Sequence, residues 1–340
     1  MKIYKLITLC AASLLFWACN DGLDEEVGLH VSVATNENVS YDGQIVTVKK
    51  GTPVEFKLSG DPDFMSFFSG EDGNKYQYRE RSSIDPSQLE KVTLDFSINL
   101  QYGNISKTER HVYISGEFPG LSKDNYESDS ILVEQYENDG LWKEIVAQNE
   151  YPAINASKSY SIDVTEYIGK NVTIAICYRG LANDVAQSTF RLDQMCFTDI
   201  MKNGQTTQYS AGAFGFVPLN MKQKWNLSDQ VKMTEEREYG TASGISGIWN
   251  LANISTGTLI LQSSSANGPL KYSWLVSNPI AVNSCTPDQG TKIKDITQSL
   301  DSYTYTYNQV GIYNATFLAR NANIDHSSTL TRHLVINVVE

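Results

Sequence analysis

Apolar residues fall on every second position through much of the chain. Val54, Phe56 and Leu58 alternate with polar neighbours, as do Val92, Leu94, Phe96, Ile98 and Leu100, and then Val172, Ile174, Ile176 and Tyr178. Leu259 and Leu261, the run Tyr303, Tyr305 and Tyr307, and finally Leu334, Ile336 and Val338 repeat the pattern toward the C-terminus. A period of two is that of a strand with one buried face. Clusters such as SGEDGN, ENDG and SSSANGP separate the runs as turns do. Beyond the first eighteen residues no helical stripe longer than two turns stands out, and DPSQLEKV and VTEYIG each have room for one short helix. The pattern predicts an all-β protein of antiparallel sandwiches.

The N-terminus breaks this rhythm. Met1 to Lys5 carries two lysines, and LITLCAASLLFWA is an apolar core of signal-peptide length, too short to remain as a membrane anchor. Residues 1–18 are therefore expected to be a cleaved signal peptide. Ala18 before Cys19 resembles the lipobox of bacterial lipoproteins, with Phe16 and Trp17 departing from its usual residues, and implies lipidation of Cys19. Each buried methylene contributes roughly 0.8 kcal/mol, so several acyl chains on one cysteine make a stable tether. Asp21, Asp24, Glu25 and Glu26 make residues 19–28 an acidic linker, and they resemble the export signal that carries such lipoproteins to the outer face of the outer membrane.

Charge narrows the partners. Lys and Arg total 27 against 39 Asp and Glu in 340 residues, a net charge of −12 that becomes more negative once Lys2 and Lys5 leave with the leader. Such a chain is not expected to bind nucleic acid, and its membrane contact runs through the lipid anchor. Cys177, Cys196 and Cys285 match no zinc or redox spacing. Cys177 and Cys196 fall on neighbouring predicted strands, where one disulfide and buried free thiols are both open.

Several segments carry more than periodicity. YTYTYNQVGIYNATFLARNAN, with Tyr307, Gly311 and Tyr313, resembles the closing strands of PKD and related immunoglobulin-like domains, where glycine suits a positive φ. VKKGTPVEFKLSGDPDFMSFFSGEDGNKYQYRER resembles the opening half of the same kind of domain. Neither half is complete alone. The expectation is one immunoglobulin/PKD-like domain split between residues 29–84 and 285–340, with a jelly-roll domain over residues 85–284 inserted; three separate small domains are the competing arrangement. For the insert, VTEYIGKNVTIAICYRG and STFRLDQMCF resemble galactose-binding-type jelly rolls through Ile168, Gly169, Lys170, Tyr178, Leu192 and Asp193, with Trp142 upstream. SGDPDFMSFFSGEDGNKYQYR, YSWLVSNPI and PDQGTKIK make the whole resemble a DUF5017-like family of Bacteroidetes surface lipoproteins of unknown function, associated with Sus-type glycan uptake. That resemblance implies a polysaccharide or oligosaccharide ligand and SusC/SusD-like protein partners.

Candidate chemistry is sparse. His30, His111, His326 and His333 have no partner at metal-ligand spacing, and no nucleophile elbow, His-Glu-x-x-His or phosphate loop is present. A non-catalytic role is expected, without a cofactor. Asp61, Asp63, Glu71 and Asp72 are weak candidates for calcium, since hard cations want clustered oxygens, and the jelly-roll resemblance implies a structural calcium. Sugars stack on exposed aromatic rings. Trp225 in MKQKWNLSDQ and Trp249 in SGIWNLAN are flanked by polar turn residues and are the expected exposed candidates, with Trp142 a third that also suits sandwich packing; Trp274 in YSWLV belongs in a core. The reading is a carbohydrate-binding lipoprotein on the cell exterior. Its alternative is an adhesion or assembly subunit that contacts other proteins through its sandwiches.

Overall fold

The computed structural model describes residues 26–221, 238–262, 265–324 and 326–340. These form two compact units, one running up to Arg81 and resuming at Pro287–Glu340, the other comprising Ser82–Thr286. Both are built of strands, and among the described residues there is one α-helix.

The first unit takes β1 (His30–Val33), β2 (Val39–Tyr41), β3 (Ile45–Lys49), β4 (Pro53–Ser59) and β5 (Phe64–Phe68) from the front of the chain. The second unit follows with β6 (Leu89–Gln101), β7 (Thr108–Ser115), α1 (Tyr126–Asn138), β8 (Lys143–Glu144), β9 (Ala156–Asp163), β10 (Asn171–Gly180), β11 (Thr189–Met201) and β12 (Thr206–Ser210). It continues through β13 (Val217–Asn220), β14 (Trp249–Asn250), β15 (Leu259–Leu261), β16 (Tyr272–Val276) and β17 (Ile280–Ala281). β18 (Thr291–Lys294), β19 (Ser302–Thr306), β20 (Gly311–Ala322) and β21 (Ser327–Val339) return to the first unit.

In the first unit β1-β4-β19 face a sheet of order β18-β5-β20-β21-β3-β2, antiparallel except where β21 runs parallel to β3. Front and rear segments share both sheets, because β4 pairs with β19 and β5 lies between β18 and β20. Their common core holds Phe56, Phe67 and Phe317 in edge and tilted contacts with centroids about 5 Å apart. Tyr307 is buried there, its hydroxyl donating to the Ser69 carbonyl at 3.0 Å, and Tyr313 stacks on it. Gly311 does not take the positive φ expected of it. A Cβ there would lie 3.3 Å from the Tyr313 hydroxyl, a tight but not forbidding approach.

In the second unit one sheet runs β13-β16-β10-β7-β8, with β17 also on β10, and the other runs β14-β15-β11-β6-β9, with β12 also on β11. The inward residues of both make one core: Val92, Leu94, Phe96, Ile98 and Leu100 from β6 against Val172, Ile174, Ile176 and Tyr178 from β10. The first sheet has a second apolar layer outside it. Ala175 and Cys177 on β10, Tyr113 on β7 and Trp274 on β16 face away from the main core and are covered by Val133 and Tyr126 of α1 with Trp142 and Phe118. β10 is thus buried on both faces rather than half-buried.

α1, at 13 residues, exceeds the two turns expected from the sequence. Its buried face is Tyr126, Asp129, Ser130 and Val133, the i, i+3, i+4, i+7 set of a helix, but half of it is polar. Asp129 is satisfied there by the backbone N–H groups of Ser122 and Lys123 at 2.8 and 2.9 Å and by the Tyr239 hydroxyl. Asn125 caps the helix through the Ser128 N–H, with Glu127 and Asp129 in the first turn. The two segments expected to hold short helices contain single 3-10 turns, Pro86–Gln88 and Thr165–Tyr167.

Candidate functional site

Among the described residues, the outer face of the β6-containing sheet has no second apolar layer. Cross-strand partners share a face, so the register fixes its surface row by row. Thr93 lies between Asp163 and Thr198, and Asp95 between Ser161 and Cys196; Ser97 lies between Ser159 and Asp193, and Asn99 between Ser157 and Arg191. Gln208 and Ser210 on β12 extend the first two rows. A surface of small hydroxyl, amide and carboxylate groups results, and the alternation of β6 past Val92 dictates it: Leu94, Phe96, Ile98 and Leu100 turned inward leave Thr93, Asp95, Ser97, Asn99 and Gln101 outside, with Lys91 at the end of the row pairing with Asp163.

β11 does not cross this face evenly. Its pairing with β6 shifts between Asp193 and Cys196, a bulge that Gln194 absorbs at φ 57°. Gly257 packs against the bulge so closely that a Cβ would lie 2.5 Å from the Met195 nitrogen, and the Met195 N–H donates to its carbonyl at 3.2 Å. The bulge opens a depression of about 650 Å³, lined among others by Asp95, Ser97, Ser159, Gln194, Gln208 and Ser210. Asp95 Oδ2 accepts from the Thr93 hydroxyl at 3.0 Å, whereas Oδ1 has no hydrogen-bond partner; nor does Asn99 Oδ1 two rows along. Both oxygens are shielded in these rotamers, and the broad terminal torsions of Asp and Asn allow a small turn outward. Burial raises the Cys196 thiol above its ordinary value, with the Asp95 charge adding to the effect. No lysine or arginine is among the lining residues. Such a surface offers acceptors and donors side by side, the complement of a neutral ligand rich in hydroxyls.

The helix-covered face carries a second cleft, of about 590 Å³, whose charged groups are engaged with one another. Arg179 pairs with Glu137, lies 3.6 Å from Glu109, and donates to the Tyr272 hydroxyl at 3.1 Å while covering that ring at 4.8 Å. Tyr272 in turn donates to Glu134 and accepts from the Trp274 indole N–H, both at 3.0 Å; Tyr113 donates to Glu137 at 3.0 Å. This network ties the C-terminal half of α1 to β7, β10 and β16. Its groups act as a staple for the helix.

Of the three candidate tryptophans, the two that the structure describes, Trp249 and Trp142, are on neither surface. Trp249 is fully buried: its pairing with Leu261 turns the ring into the inter-sheet core beside Phe190, while its polar sequence neighbours occupy the flanking turns. Trp142 is buried under α1, its indole N–H donating to the Val133 carbonyl at 3.2 Å. Trp225 and Cys19 lie outside the described residues. Three of the four acids considered for calcium are separately engaged, and the fourth stands apart from them. Glu71 accepts from Tyr305 and Ser69, Asp72 pairs with Lys75, Asp63 accepts from the Ala322 N–H, and Asp61 borders a small cavity beside Lys294. Among the described residues no group of three or more His, Cys, Asp or Glu could hold a metal ion. Cys177 and Cys196 are both free and buried, on different sheets and on opposite outer faces, so no disulfide joins them. Asp193 pairs with Arg191 and accepts from Thr258.

Sequence reasoning passed over Asp95, Ser97 and Asn99 as the solvent side of a strand. The available signal was composition: from Thr93 to Gln101 on β6, and along β9, the outward positions carry Thr, Ser, Asp, Asn and Gln where an ordinary solvated face has Lys and Glu.

Fold and surface together define an all-β protein of two sandwich-like units, one of which carries an uncovered polar sheet face. The family model described as a domain of unknown function, DUF5017, matches residues 29–214, more than half of the chain, and the chain belongs to that family. The matched span includes every lining residue of the polar depression except Thr256. Neither a curated protein nor a solved structure matches the chain.

Proposed function

We propose that this protein is a non-catalytic carbohydrate-binding lipoprotein, tethered through Cys19 to the outer face of the outer membrane and serving a Sus-like glycan uptake system. The observation that carries the reading is the depression at the β11 bulge, with hydroxyl and amide groups around an Asp95 oxygen that no protein group satisfies. Leaving such an oxygen unpaired is costly, and a sugar hydroxyl donates to it while accepting from neighbouring Ser or Gln. Asp95 is the single carboxylate among the lining residues, whereas glycoside hydrolysis calls for two; this supports binding without cleavage. The acidic linker after Cys19 supports surface display.

Affinity electrophoresis of the full mature chain through gels containing xylan, mannan, β-glucan or pullulan tests the reading. Retardation by at least one polymer is expected, with loss of most of it in Asp95→Ala and Gln208→Ala. If no polymer slows the protein, the carbohydrate reading fails and the assembly alternative takes its place. Mass spectrometry of the mature N-terminus and protease shaving of intact cells test the anchor: an unmodified Cys19, or a protein untouched by protease, would remove the surface role.

A further inference from the structure

The outward row of β6 continues past the depression. Beyond Asp95 the outward side chains are Ser97, Asn99 and Gln101, flanked by serines of β9 on one side and by Asp193 and Arg191 on the other. Asn99 repeats the property of Asp95, an oxygen without a hydrogen-bond partner on the same face. The strand ends at Gln101 and is followed by Tyr102, which is 64% exposed, the most exposed aromatic residue among those described.

Tyr102 stands there at a conformational cost. It adopts φ 59° and is followed by Gly103 at φ 67°. A left-handed φ is strained for a bulky side chain and suits Gly or Asn. The Tyr102 N–H reaches Asn155 Oδ1 at 3.4 Å, and Asn155 is itself left-handed at φ 61°. A strained aromatic that is mostly exposed contributes little to the fold, and residues held in such conformations cluster at binding sites.

From Asp95 to Tyr102 the strand advances about 23 Å, the length of about four or five linked sugars and far more than one. We infer that the site takes an extended polysaccharide chain along β6, with Asp95 and Asn99 as successive hydroxyl acceptors and the Tyr102 ring as a stacking platform at the far end. This rests on the carbohydrate reading above and adds to it the polymeric nature of the ligand and the direction in which it lies.

The test is a length series. Fragments of two to six sugars, cut from whichever of the four polymers slows the protein, are titrated into the full mature chain by calorimetry. Affinity should climb with each added sugar up to four or five and then level. Tyr102→Asn should weaken the longest fragment about tenfold while leaving the disaccharide unchanged, and Tyr102→Phe should retain the affinity. Because Tyr102→Asn relieves the turn, its melting temperature should rise, so weaker binding cannot be laid to misfolding. Equal affinity for all lengths, or a Tyr102→Asn protein that holds the hexasaccharide as well as the parent does, overturns the inference while leaving carbohydrate binding intact. Failure of every polymer in the gels removes both.

Discussion

The two sheets of the second unit share one core and differ in what they do with their other faces. On β10 the residues between the inward Ile174, Ile176 and Tyr178 are Ala175 and Cys177, small and apolar, and α1 with Trp142 and Trp274 closes over them. On β6 the residues between the inward Leu94, Phe96, Ile98 and Leu100 are Asp95, Ser97 and Asn99, and no described residue of the second unit forms an apolar layer over them. The same period of two therefore builds a strand committed to packing and a strand that keeps one side available. Charge follows the same division. The covered face spends its Glu, Arg and Tyr groups on one another, whereas the open face leaves carboxylate and amide oxygens unpaired.

The comparison breaks most sharply at Trp274, which is fully buried in the layer under α1. Truncation to alanine removes its contacts with Tyr113 and Trp142 and the indole donor to Tyr272. Trp274→Ala should cost about 3–5 kcal/mol in urea or thermal unfolding. A loss below about 1 kcal/mol would mean that the helix layer is dispensable and the two faces are energetically alike.

Asp199 supplies a different contrast, a carboxyl on the open sheet that points inward. It pairs with Val92 and Thr207 on the core side of β11, is almost fully buried, and neither its Oδ1 nor the Thr207 hydroxyl has a hydrogen-bond partner. Burial pushes its carboxyl up to about 7. The folded chain then holds a proton that the unfolded chain has released between the ordinary carboxylate range near 4 and about 7, so stability falls as pH rises through that window. Asp199→Asn should remove this slope and stabilise the protein by on the order of 2 kcal/mol at pH 8, with little effect at pH 4. Urea midpoints at the two pH values measure it, and equal shifts at both would show that the group is solvated.

How much of this was legible in the sequence varied with how local its cause was. The inward rows of β6 and β10 follow directly from alternation, as does the burial of Trp274 among apolar neighbours. The second buried face of β10 was present in Ala175 and Cys177 but reads ambiguously, because small residues suit either side. α1 was hidden by Asp129 and Ser130 on its buried face, where partners on distant segments satisfy the carboxylate. Trp249 misled because its polar neighbours belong to turns on either side of a two-residue strand. The depression could not have been read at all: it depends on a bulge at Gln194 held by Gly257 from another segment, and register shifts of this kind leave no periodic trace.

Tyr102 sharpens the comparison at the end of the open face. Its left-handed conformation should cost about 1 kcal/mol relative to a residue that tolerates it, and its exposed ring contributes little packing in return. Tyr102→Asn should therefore raise stability by about 1 kcal/mol in chemical denaturation. On the covered face, replacing an aromatic residue by a small polar one should never do this. A destabilised Tyr102→Asn protein would show that the ring supports the loop, and the open face would lose its claim to groups held for something other than folding.

The smallest expected change is at Asp95. Two effects oppose each other in Asp95→Ala: the Thr93 hydroxyl, itself nearly buried, loses its acceptor, and the unpaired Oδ1 with its desolvation cost disappears. The net should lie within about 0.5 kcal/mol of zero, although the residue lies in the middle of the longest pairing of the unit. A carboxylate so placed that adds almost nothing to stability is one that the fold does not need. If Asp95→Ala instead costs more than about 2 kcal/mol, the carboxylate is a strut that holds β6 to its neighbours. In that case the difference between the two outer faces is one of side-chain size alone, and the depression at the bulge is a packing fault without a ligand.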